Sequence, residues 1–265
     1  MRIVVCVKYV PDAQSERTFS SDHTTERVSV DGLLSELDEY AVEEALTVAG
    51  DAADDSGEVI VLTMGPDEAA SAIKKALQMG AHQGVHLNDD AIAGSDAVAT
   101  SLVLAAAIRK LGEPAPVDLV LTGLASTDGV MSVVPAMMAE RLELPQVTFA
   151  SELTVQDGTV TIRRDGDVAS ETIQASLPAV VSVTDQINEP RYPSFKGIMA
   201  AKKKPVQVWT LADLGLETDD VGLSAACSRV VSVEQAPPRS QGQIVTDEGQ
   251  GGQALAEFLT ARKFA

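Results

Sequence analysis

The first half of the chain alternates between short apolar runs and longer segments whose apolar residues recur every three to four positions. The apolar runs predict strands at residues 3–7, 58–64, 84–87 and 117–123. The segments between them predict helices from about residue 35, over 67–79, over 96–111 and from near 128 to 142. Repeated strand–helix units form a parallel sheet with helices on both faces. We therefore expect a doubly wound, mostly parallel, Rossmann-like α/β fold.

Beyond residue 145 the pattern changes to short alternating runs. Those at 147–149, 153–155, 160–162 and 172–174 are separated by turn-forming residues, which predicts β-hairpins added to the sheet. Residues 178–183 predict one more central strand, whereas 188–205, with three prolines, predict an irregular segment. The last forty residues read as a C-terminal arm, flexible or docked elsewhere, with a helix over about 254–262.

Two local patterns lie near the start of the chain. Residues 25–32 suggest a hairpin, and the Ser-Glu-Leu-Asp sequence at 35–38 resembles a capping box at the start of the first helix. Such a box would use the hydroxyl of Ser35 and the carboxylate of Asp38 to satisfy backbone amides of the first turn.

Composition narrows the range of functions. The 265 residues include 20 Lys and Arg against 39 Asp and Glu, a formal charge of −19, which argues against nucleic-acid partners. The chain shows no apolar run of the ~18 residues expected of a membrane span and no signal-peptide pattern, so we expect a cytoplasmic protein that is not membrane-embedded. Two cysteines suggest a reducing compartment, and the three histidines have no metal-ligand spacing.

Open parallel sheets bind ligands at the carboxyl ends of the strands, where the strand order reverses. This rule brings together the loop at 8–12, after the first strand, and the loop at 123–130, after the fourth. The second loop combines a glycine, small hydroxyl residues and Asp128 as a candidate helix cap, a composition typical of an anion cradle. A plain helix cap explains the same residues. Gly65-Pro66 suggests either backbone contacts near an adenine or an ordinary turn.

Standard nucleotide and nucleophile motifs are missing from the sequence. No G-x-G-x-x-G follows the first strand, and no Walker loop occurs, which argues against an ordinary NAD site or a P-loop. Cys6 has apolar neighbours and no nearby histidine, which favours a small strand residue over a nucleophile.

Residues 188–204 are the other unusual stretch. Aromatic residues make up 3% of the chain, yet Tyr192 and Phe195 lie close together there, followed by three lysines at 202–204. An exposed Phe195 would serve as an anchor for a partner protein. The alternative is that Phe195 and Ile198 fold back onto the sheet and the lysines are merely solvated.

Several short motifs, in order, resemble the electron transfer flavoprotein beta subunits. They are VCVK at 5–8, AVEEA at 41–45, GP at 65–66, ALQMGA at 76–81, DLVLTG at 118–123, LP at 144–145, TFA at 148–150, NEPRY at 188–192, IM at 198–199 and KKK at 202–204. The resemblance extends from residue 1 to about 235. It implies a fold like that of the adenine nucleotide alpha-hydrolases, with a nucleotide-binding domain at 1–187, a recognition loop at 188–205 and a C-terminal segment at 206–265 that packs on an alpha subunit.

The resemblance also implies a function. Such a subunit is not an enzyme by itself but pairs with an alpha subunit that holds most of an FAD. The heterodimer takes electrons from acyl-CoA and related flavin dehydrogenases and passes them to a membrane quinone oxidoreductase. AMP is the usual structural ligand of the beta subunit, although some members hold a second FAD there and bifurcate electrons.

Matching positions assign site residues by the same resemblance. The AMP contacts are Cys6, Ser35, Glu36, Leu37, Asp38, Met64, Gly123, Ser126, Thr127, Asp128, Gly129, Val130, Met131, Ser132, Val133 and Val134. The recognition residues are Tyr192, Phe195, Ile198, Met199 and Lys202, with Phe195 in place of an anchor that is commonly leucine. Glu171 matches a glutamate that restrains the flavin domain of the alpha subunit.

The chain departs from the family pattern at three single positions and in the run at 129–134, where members often have a longer polar sequence. Ala125 replaces a frequent glutamine, so phosphate contacts there fall to backbone amides and hydroxyl groups. Ala13 and Leu37 stand where some members place aromatic residues near the flavin.

Two other functions share parts of this pattern. A universal-stress-type adenine-nucleotide-binding regulatory protein has the same sheet and site but explains neither the recognition-like segment nor the arm. An ATP-dependent adenylating enzyme would need an S-G-G-x-D motif after the first strand, and residues 10–12 are Val-Pro-Asp.

Overall fold

The computed structural model describes residues 1–27, 29–50, 57–238, 242 and 244–264. The chain divides into two compact units, Met1–Val231 and Ser232–Ala265. The first unit contains the sheet and its helices, and the second contains one helix near the C-terminus.

The strands of the described chain form a nine-stranded sheet and a separate two-stranded sheet. They are β1 (Arg2–Cys6), β2 (Tyr9–Pro11), β3 (Gly32–Leu34), β4 (Glu58–Met64), β5 (Gln83–Leu87), β6 (Leu119–Gly123), β7 (Gln146–Gln156), β8 (Thr159–Asp165), β9 (Ser170–Ser176), β10 (Ala179–Val183) and β11 (Val206–Trp209). The larger sheet has the order β11-β5-β4-β1-β6-β10-β7-β8-β9. All its pairs are parallel except β7–β8 and β8–β9.

Helices cover both faces of the parallel part. The helices of the first unit are α1 (Glu36–Gly50), α2 (Ala70–Met79), α3 (Ala97–Gly112), α4 (Val134–Leu142), α5 (Phe195–Ala201), α6 (Leu211–Leu214) and α7 (Gly222–Ala225), and the second unit contains α8 (Gly251–Ala261). Ile3 and Val5 of β1 face the core under α1 and α2, whereas Val4 faces the core under α3 and α4. This alternation along a fully buried strand confirms the doubly wound α/β fold.

The strand order reverses between β1 and β6. From β1 the chain proceeds outward to β4 and β5, then returns across the sheet to β6 on the other side of β1. Cys6 at the end of β1 lies opposite Thr122 near the end of β6. The loops that follow these two strands therefore leave the sheet side by side, as the switch-point rule predicts.

The predicted strands at 147–149 and 153–155 are one long strand, β7. Its first half pairs in parallel with β10 and its second half pairs antiparallel with β8. An irregularity after Ala150 separates the halves, and Phe149 just before it has a φ of 64°. The bend lets one strand end the parallel sheet and begin the hairpins. The central strand predicted at 178–183 is confirmed as β10.

The hairpin predicted at 25–32 is wrong. Position 28 of this segment lies outside the described residues. β3 pairs with β2 instead, placing Gly32 opposite Pro11, and Thr25 bridges to Phe19. A Cβ at Gly32 would come within 2.2 Å of the Tyr9 ring. Glycine therefore permits β3 to pair closely with β2. The prediction missed this pairing because the two strands are far apart in sequence.

The segment at 188–205 is not wholly irregular. Ser194 caps α5 by accepting a hydrogen bond from the amide of Gly197 at 3.0 Å. The terminal helix predicted over 254–262 is confirmed as α8, which begins three residues earlier.

Candidate functional site

The switch-point site lies where the first turn of α1 meets the ends of β1 and β6. A Cβ at Gly123 would stand 2.6 Å from both the Asp38 Oδ1 and the Leu37 carbonyl oxygen. Any larger residue at the end of β6 would push α1 away. The glycine thus brings the start of the helix against the loop that follows β6.

A buried carboxylate organises that loop. The side chain of Asp128 is 1% exposed, and it accepts hydrogen bonds from Lys8 Nζ at 3.0 Å and from Arg27 Nη2. Its own neighbour, Gly129, donates a backbone amide at 2.7 Å. Burial alone would raise the pKa of Asp128, but the charges of Lys8 and Arg27 outweigh it and lower the pKa well below its usual range.

The prediction that Asp128 caps the next helix is wrong. α4 begins at Val134, and Val133 before it provides no side-chain cap. Val130 and Ser132 have φ values of 50° and 56°, outside the helical region, so the backbone cannot continue the helix back to Asp128. The carboxylate is held instead by the cations that approach from elsewhere in the chain.

Two arginines from the polar segment between β2 and β3 reach this part of the structure. Arg27 also approaches the Tyr9 carbonyl at 3.5 Å, and Arg17 Nη2 donates to the Thr127 carbonyl at 3.0 Å. Sequence reasoning missed both arginines. The only sequence signal was two isolated positive charges in a polar stretch of a strongly acidic chain.

Asp38 behaves differently from Asp128, although both lie near Lys8. Its carboxylate accepts the backbone amide of Lys8 at 2.8 Å rather than an ammonium hydrogen bond. Burial raises the pKa of Asp38 to about 7, despite hydrogen bonds and the Lys8 charge that favour ionisation. The site therefore holds one permanently ionised carboxylate and one that titrates near neutrality.

The capping box predicted at 35–38 is also wrong. The Ser35 hydroxyl is buried and has no hydrogen-bond partner, while the Ser35 carbonyl accepts the Asp38 amide at 2.9 Å. The Asp38 carboxylate points to Lys8 because that amide needs a partner at the end of β1. A buried hydroxyl without a partner costs free energy unless a bound group satisfies it.

Cys6 and Met64 lie at the same edge of the sheet and pack against the core under α3 and α4. Burial, with a smaller contribution from the charge of Asp38, raises the pKa of the Cys6 thiol to about 12. The thiol is therefore not a nucleophile at neutral pH. The Gly65 carbonyl lies 3.0 Å from Nε2 of the buried His86.

The remaining predicted nucleotide contacts surround the same site. Glu36, Gly129, Val130 and Met131 are exposed, whereas Leu37, Ser126, Thr127, Ser132, Val133 and Val134 are partly buried. Ser126 Oγ lies 3.5 Å from Lys8 Nζ and accepts the Gly129 amide at 3.2 Å. The structure thus brings the predicted nucleotide residues together in one region.

Glu171 lies apart from them on β9, with β10, β7 and β8 between it and β6 in the sheet. Its carboxylate is 3.9 Å from Arg164, and most of its side chain is exposed.

The recognition residues form a third group. Tyr192 is 93% exposed, Phe195 80% and Met199 47%; Lys202 is exposed and Ile198 partly buried. The alternative in which Phe195 folds back onto the sheet is therefore wrong. Phe195 is the first residue of α5, directly after the cap residue Ser194, and its ring lies in solvent.

Among the described residues, no group of three or more His, Cys, Asp or Glu side chains is placed to hold a metal ion. No helix in the same part of the chain is long and apolar enough to span a bilayer.

The raised pKa of Asp38 predicts a pH-dependent stability that Asp38→Asn removes. Between about pH 4 and pH 7 the folded chain holds a proton that the unfolded chain has lost, so the wild type loses stability as the pH rises. The unfolding free energy of the variant, relative to wild type, should rise by about 2 to 4 kcal/mol across that window. Urea unfolding at several pH values measures it.

Asp157→Asn, in the exposed turn between β7 and β8, is the matched control, because it makes the same substitution away from the buried site. Parallel stability curves for wild type and Asp38→Asn would contradict the expected titration.

Comparisons with known proteins identify the family. A profile of the electron transfer flavoprotein domain matches residues 23–214. The electron transfer flavoprotein subunit beta of Mycobacterium tuberculosis (strain H37Rv) is 48% identical over 264 residues, 98% of both chains, and that of Mycobacterium leprae is 49% identical over the same share. The caffeyl-CoA reductase-Etf complex subunit CarD of Acetobacterium woodii is 35% identical over 93% of this chain and 92% of its own. This chain therefore belongs to the electron transfer flavoprotein family, as one of its beta subunits.

Proposed function

We propose that this beta subunit pairs with an alpha subunit that holds most of an FAD, and that the heterodimer carries electrons from acyl-CoA and related flavin dehydrogenases to a quinone oxidoreductase. The beta subunit performs no catalysis by itself and works in the cytoplasm. The observation that carries the proposal is the near full-length similarity to beta subunits. It favours an electron carrier over a regulatory protein of the universal-stress type.

We further propose that the switch-point site of this subunit binds AMP. The buried, unpartnered Ser35 hydroxyl is available to a ligand group. Lys8, Arg17 and Arg27 bring three positive charges to the loop, against the carboxylates of Asp128 and Asp38, so the loop is locally cationic although the formal charge of the chain is −19. The first amides of α4 lack partners within the helix, which suits a phosphate. These features fit an adenine mononucleotide.

Each part of the site would have a separate task. Ser126, Thr127 and the backbone of 129–134 would hold the phosphate, with Lys8 supplying positive charge. Cys6 and Met64, partly buried and apolar, would line the side toward the sheet. Asp128 would act indirectly, because its carboxylate holds Lys8 and Arg27 in place. When bound, AMP would supply no redox chemistry, since it is a structural ligand.

A second proposal concerns electron entry. Tyr192, Phe195 and Met199 form an exposed apolar patch beside Lys202, which suits a partner surface with an apolar pocket and acidic surroundings. We propose that Phe195 enters such a pocket on the dehydrogenase. Glu171, exposed on β9, would restrain the mobile flavin domain of the alpha subunit.

The composition of the purified heterodimer tests the main proposal. The chain is co-expressed with an alpha subunit of the family, and FAD and AMP are quantified after denaturation. We expect about one FAD and one AMP per heterodimer. Two FAD and no AMP would replace the AMP assignment with a bifurcating carrier, and a flavin-free chain without a partner would overturn the electron-carrier proposal.

Thr127→Asp should reduce the AMP content of the heterodimer by about tenfold or more, because a carboxylate would face the phosphate. Thr127→Asn has nearly the same shape without the charge and is the matched control. Chromatography of the released nucleotides measures both AMP and FAD. Equal AMP content in the two variants would show that the loop does not bind the phosphate.

Phe195→Ala should lower kcat/KM for reduction by the dehydrogenase by about 30-fold, since truncating an anchor costs about 2 kcal/mol. FAD and AMP content should stay unchanged because Phe195 lies outside the switch-point site. Val98→Ala, on α3 and on the opposite face of the sheet from α1 and α2, should behave like wild type. If Phe195→Ala shows wild-type kinetics at limiting heterodimer concentration, Phe195 is not an anchor for the dehydrogenase.

A further inference from the structure

Residues 188–204, here called the recognition segment, are fastened at both ends. At the start, Asn188 Nδ2 donates to the Tyr40 carbonyl at 3.1 Å and to Glu44 Oε2 at 3.0 Å. At the end, Lys204 Nζ donates to the carbonyls of Leu77 and Gly80, each at 2.9 Å, where α2 ends. The segment is thus tied to α1 and α2 by specific polar contacts.

The strongest fastening is a clamp between Glu43 of α1 and Arg191. Arg191 donates its backbone amide to Glu43 Oε2 at 3.0 Å and its Nε to the same oxygen at 2.7 Å. Its Nη2 donates to Glu43 Oε1 at 2.7 Å. A carboxylate that accepts hydrogen bonds from two guanidinium nitrogens and from the backbone amide fixes the orientation as well as the position of the arginine.

The surroundings of the clamp strengthen it. The Glu43 side chain is 11% exposed, so water competes little for its oxygens. Burial opposes ionisation of Glu43, but the hydrogen bonds and charge of Arg191 outweigh it and lower the pKa of the carboxyl below its usual value. Both partners therefore stay charged throughout the neutral range.

Close packing fixes the middle of the segment. A Cβ at Gly197 would lie 2.5 Å from the Gln78 carbonyl oxygen, so α5 sits directly against the end of α2. Ala201 is buried on the same side. Tyr192 and Phe195 lie between the clamp and this contact, yet both are exposed to solvent. An aromatic side chain held out in water by a rigid backbone costs little further ordering when it binds.

We propose that Glu43 is a positioning residue for partner docking: its clamp on Arg191 holds the backbone of the recognition segment so that Phe195 is presented in its binding orientation. This inference rests on the proposed docking role of Phe195. Glu43 is largely buried, and its role would be exercised through Arg191. Without the clamp, the stretch from Arg191 to Phe195 would sample other conformations, and the partner would have to bear the ordering cost.

A merely structural salt bridge would predict something different. It would lower the stability of the whole subunit, and its loss would add to the loss of Phe195 rather than depend on it. A positioning residue acts through Phe195, so its effect should vanish when Phe195 is gone. A double-mutant cycle separates the two.

The experiment uses purified heterodimers carrying Glu43→Gln, Arg191→Met, Phe195→Ala and the Glu43→Gln/Phe195→Ala pair. Reduction by an acyl-CoA dehydrogenase is followed at increasing heterodimer concentration. We expect each clamp variant to raise KM for the heterodimer about 3- to 10-fold with kcat within about twofold of wild type. In the Phe195→Ala background, Glu43→Gln should change KM by less than about twofold.

Arg191→Met is included because the amide oxygen in Glu43→Gln still accepts hydrogen bonds from Arg191, whereas a methionine side chain donates none. Glu39→Gln is the matched control, because it removes another α1 carboxylate, 3.6 Å from Lys75 of α2, outside the recognition segment. It should leave KM unchanged. FAD content confirms that each heterodimer is intact.

The outcomes distinguish the positioning role of Glu43 from the docking role of Phe195 on which it rests. If Phe195→Ala raises KM but both clamp variants leave it unchanged, the positioning role is overturned and the docking role stands. If the Glu43→Gln effect is as large in the Phe195→Ala background as in wild type, the clamp does not act through Phe195. If Phe195→Ala itself has no effect, the docking role and the positioning role both fail.

Discussion

Close approach of α1 to the end of β6 is the constraint on which the other features depend. Only glycine at position 123 leaves room for the carboxylate of Asp38 and the carbonyl of Leu37, each of which would lie 2.6 Å from a Cβ there. Because the helix starts at the switch point, its second turn reaches the recognition segment, where Glu43 holds Arg191. One helix thus carries residues predicted for the nucleotide site at its start and, one turn later, the carboxylate that holds Arg191.

Charge is distributed unevenly around this helix. Although the formal charge of the chain is −19, Lys8 and Arg27 both contact the buried Asp128 and lower the pKa of its carboxyl group. Asp38, nearby but bonded to a backbone amide, has its pKa raised to about 7 by burial. The pKa values of the two carboxyl groups therefore move in opposite directions, because Asp128 is hydrogen-bonded to two cationic side chains and Asp38 to a backbone amide. The cationic loop that results is consistent with the AMP proposal, since phosphate requires positive charge and free amides.

The parts predicted correctly from sequence were those that local periodicity specifies. The buried strands around β1, the helices between them and the central strand β10 were recognisable because both faces of a parallel strand are apolar. Local rules failed where distant groups compete. Asp128 suited a helix cap, yet Lys8 and Arg27 bind it instead. Ser35 and Asp38 had the spacing of a capping box, but the backbone amide of Lys8 donates a hydrogen bond to the Asp38 carboxylate instead.

The sequence by itself determined the fold class, the position of the switch point and, through ordered motifs, the family. Those depend on hydrophobic periodicity and on short runs of residues that are read one after another. Tertiary structure alone decided which charges meet, because the side chains of Arg27 and Asp128 are 101 residues apart and those of Glu43 and Arg191 are 148 apart. It also decided that Phe195 is exposed, since burial depends on what packs around a residue and not on its neighbours in the chain.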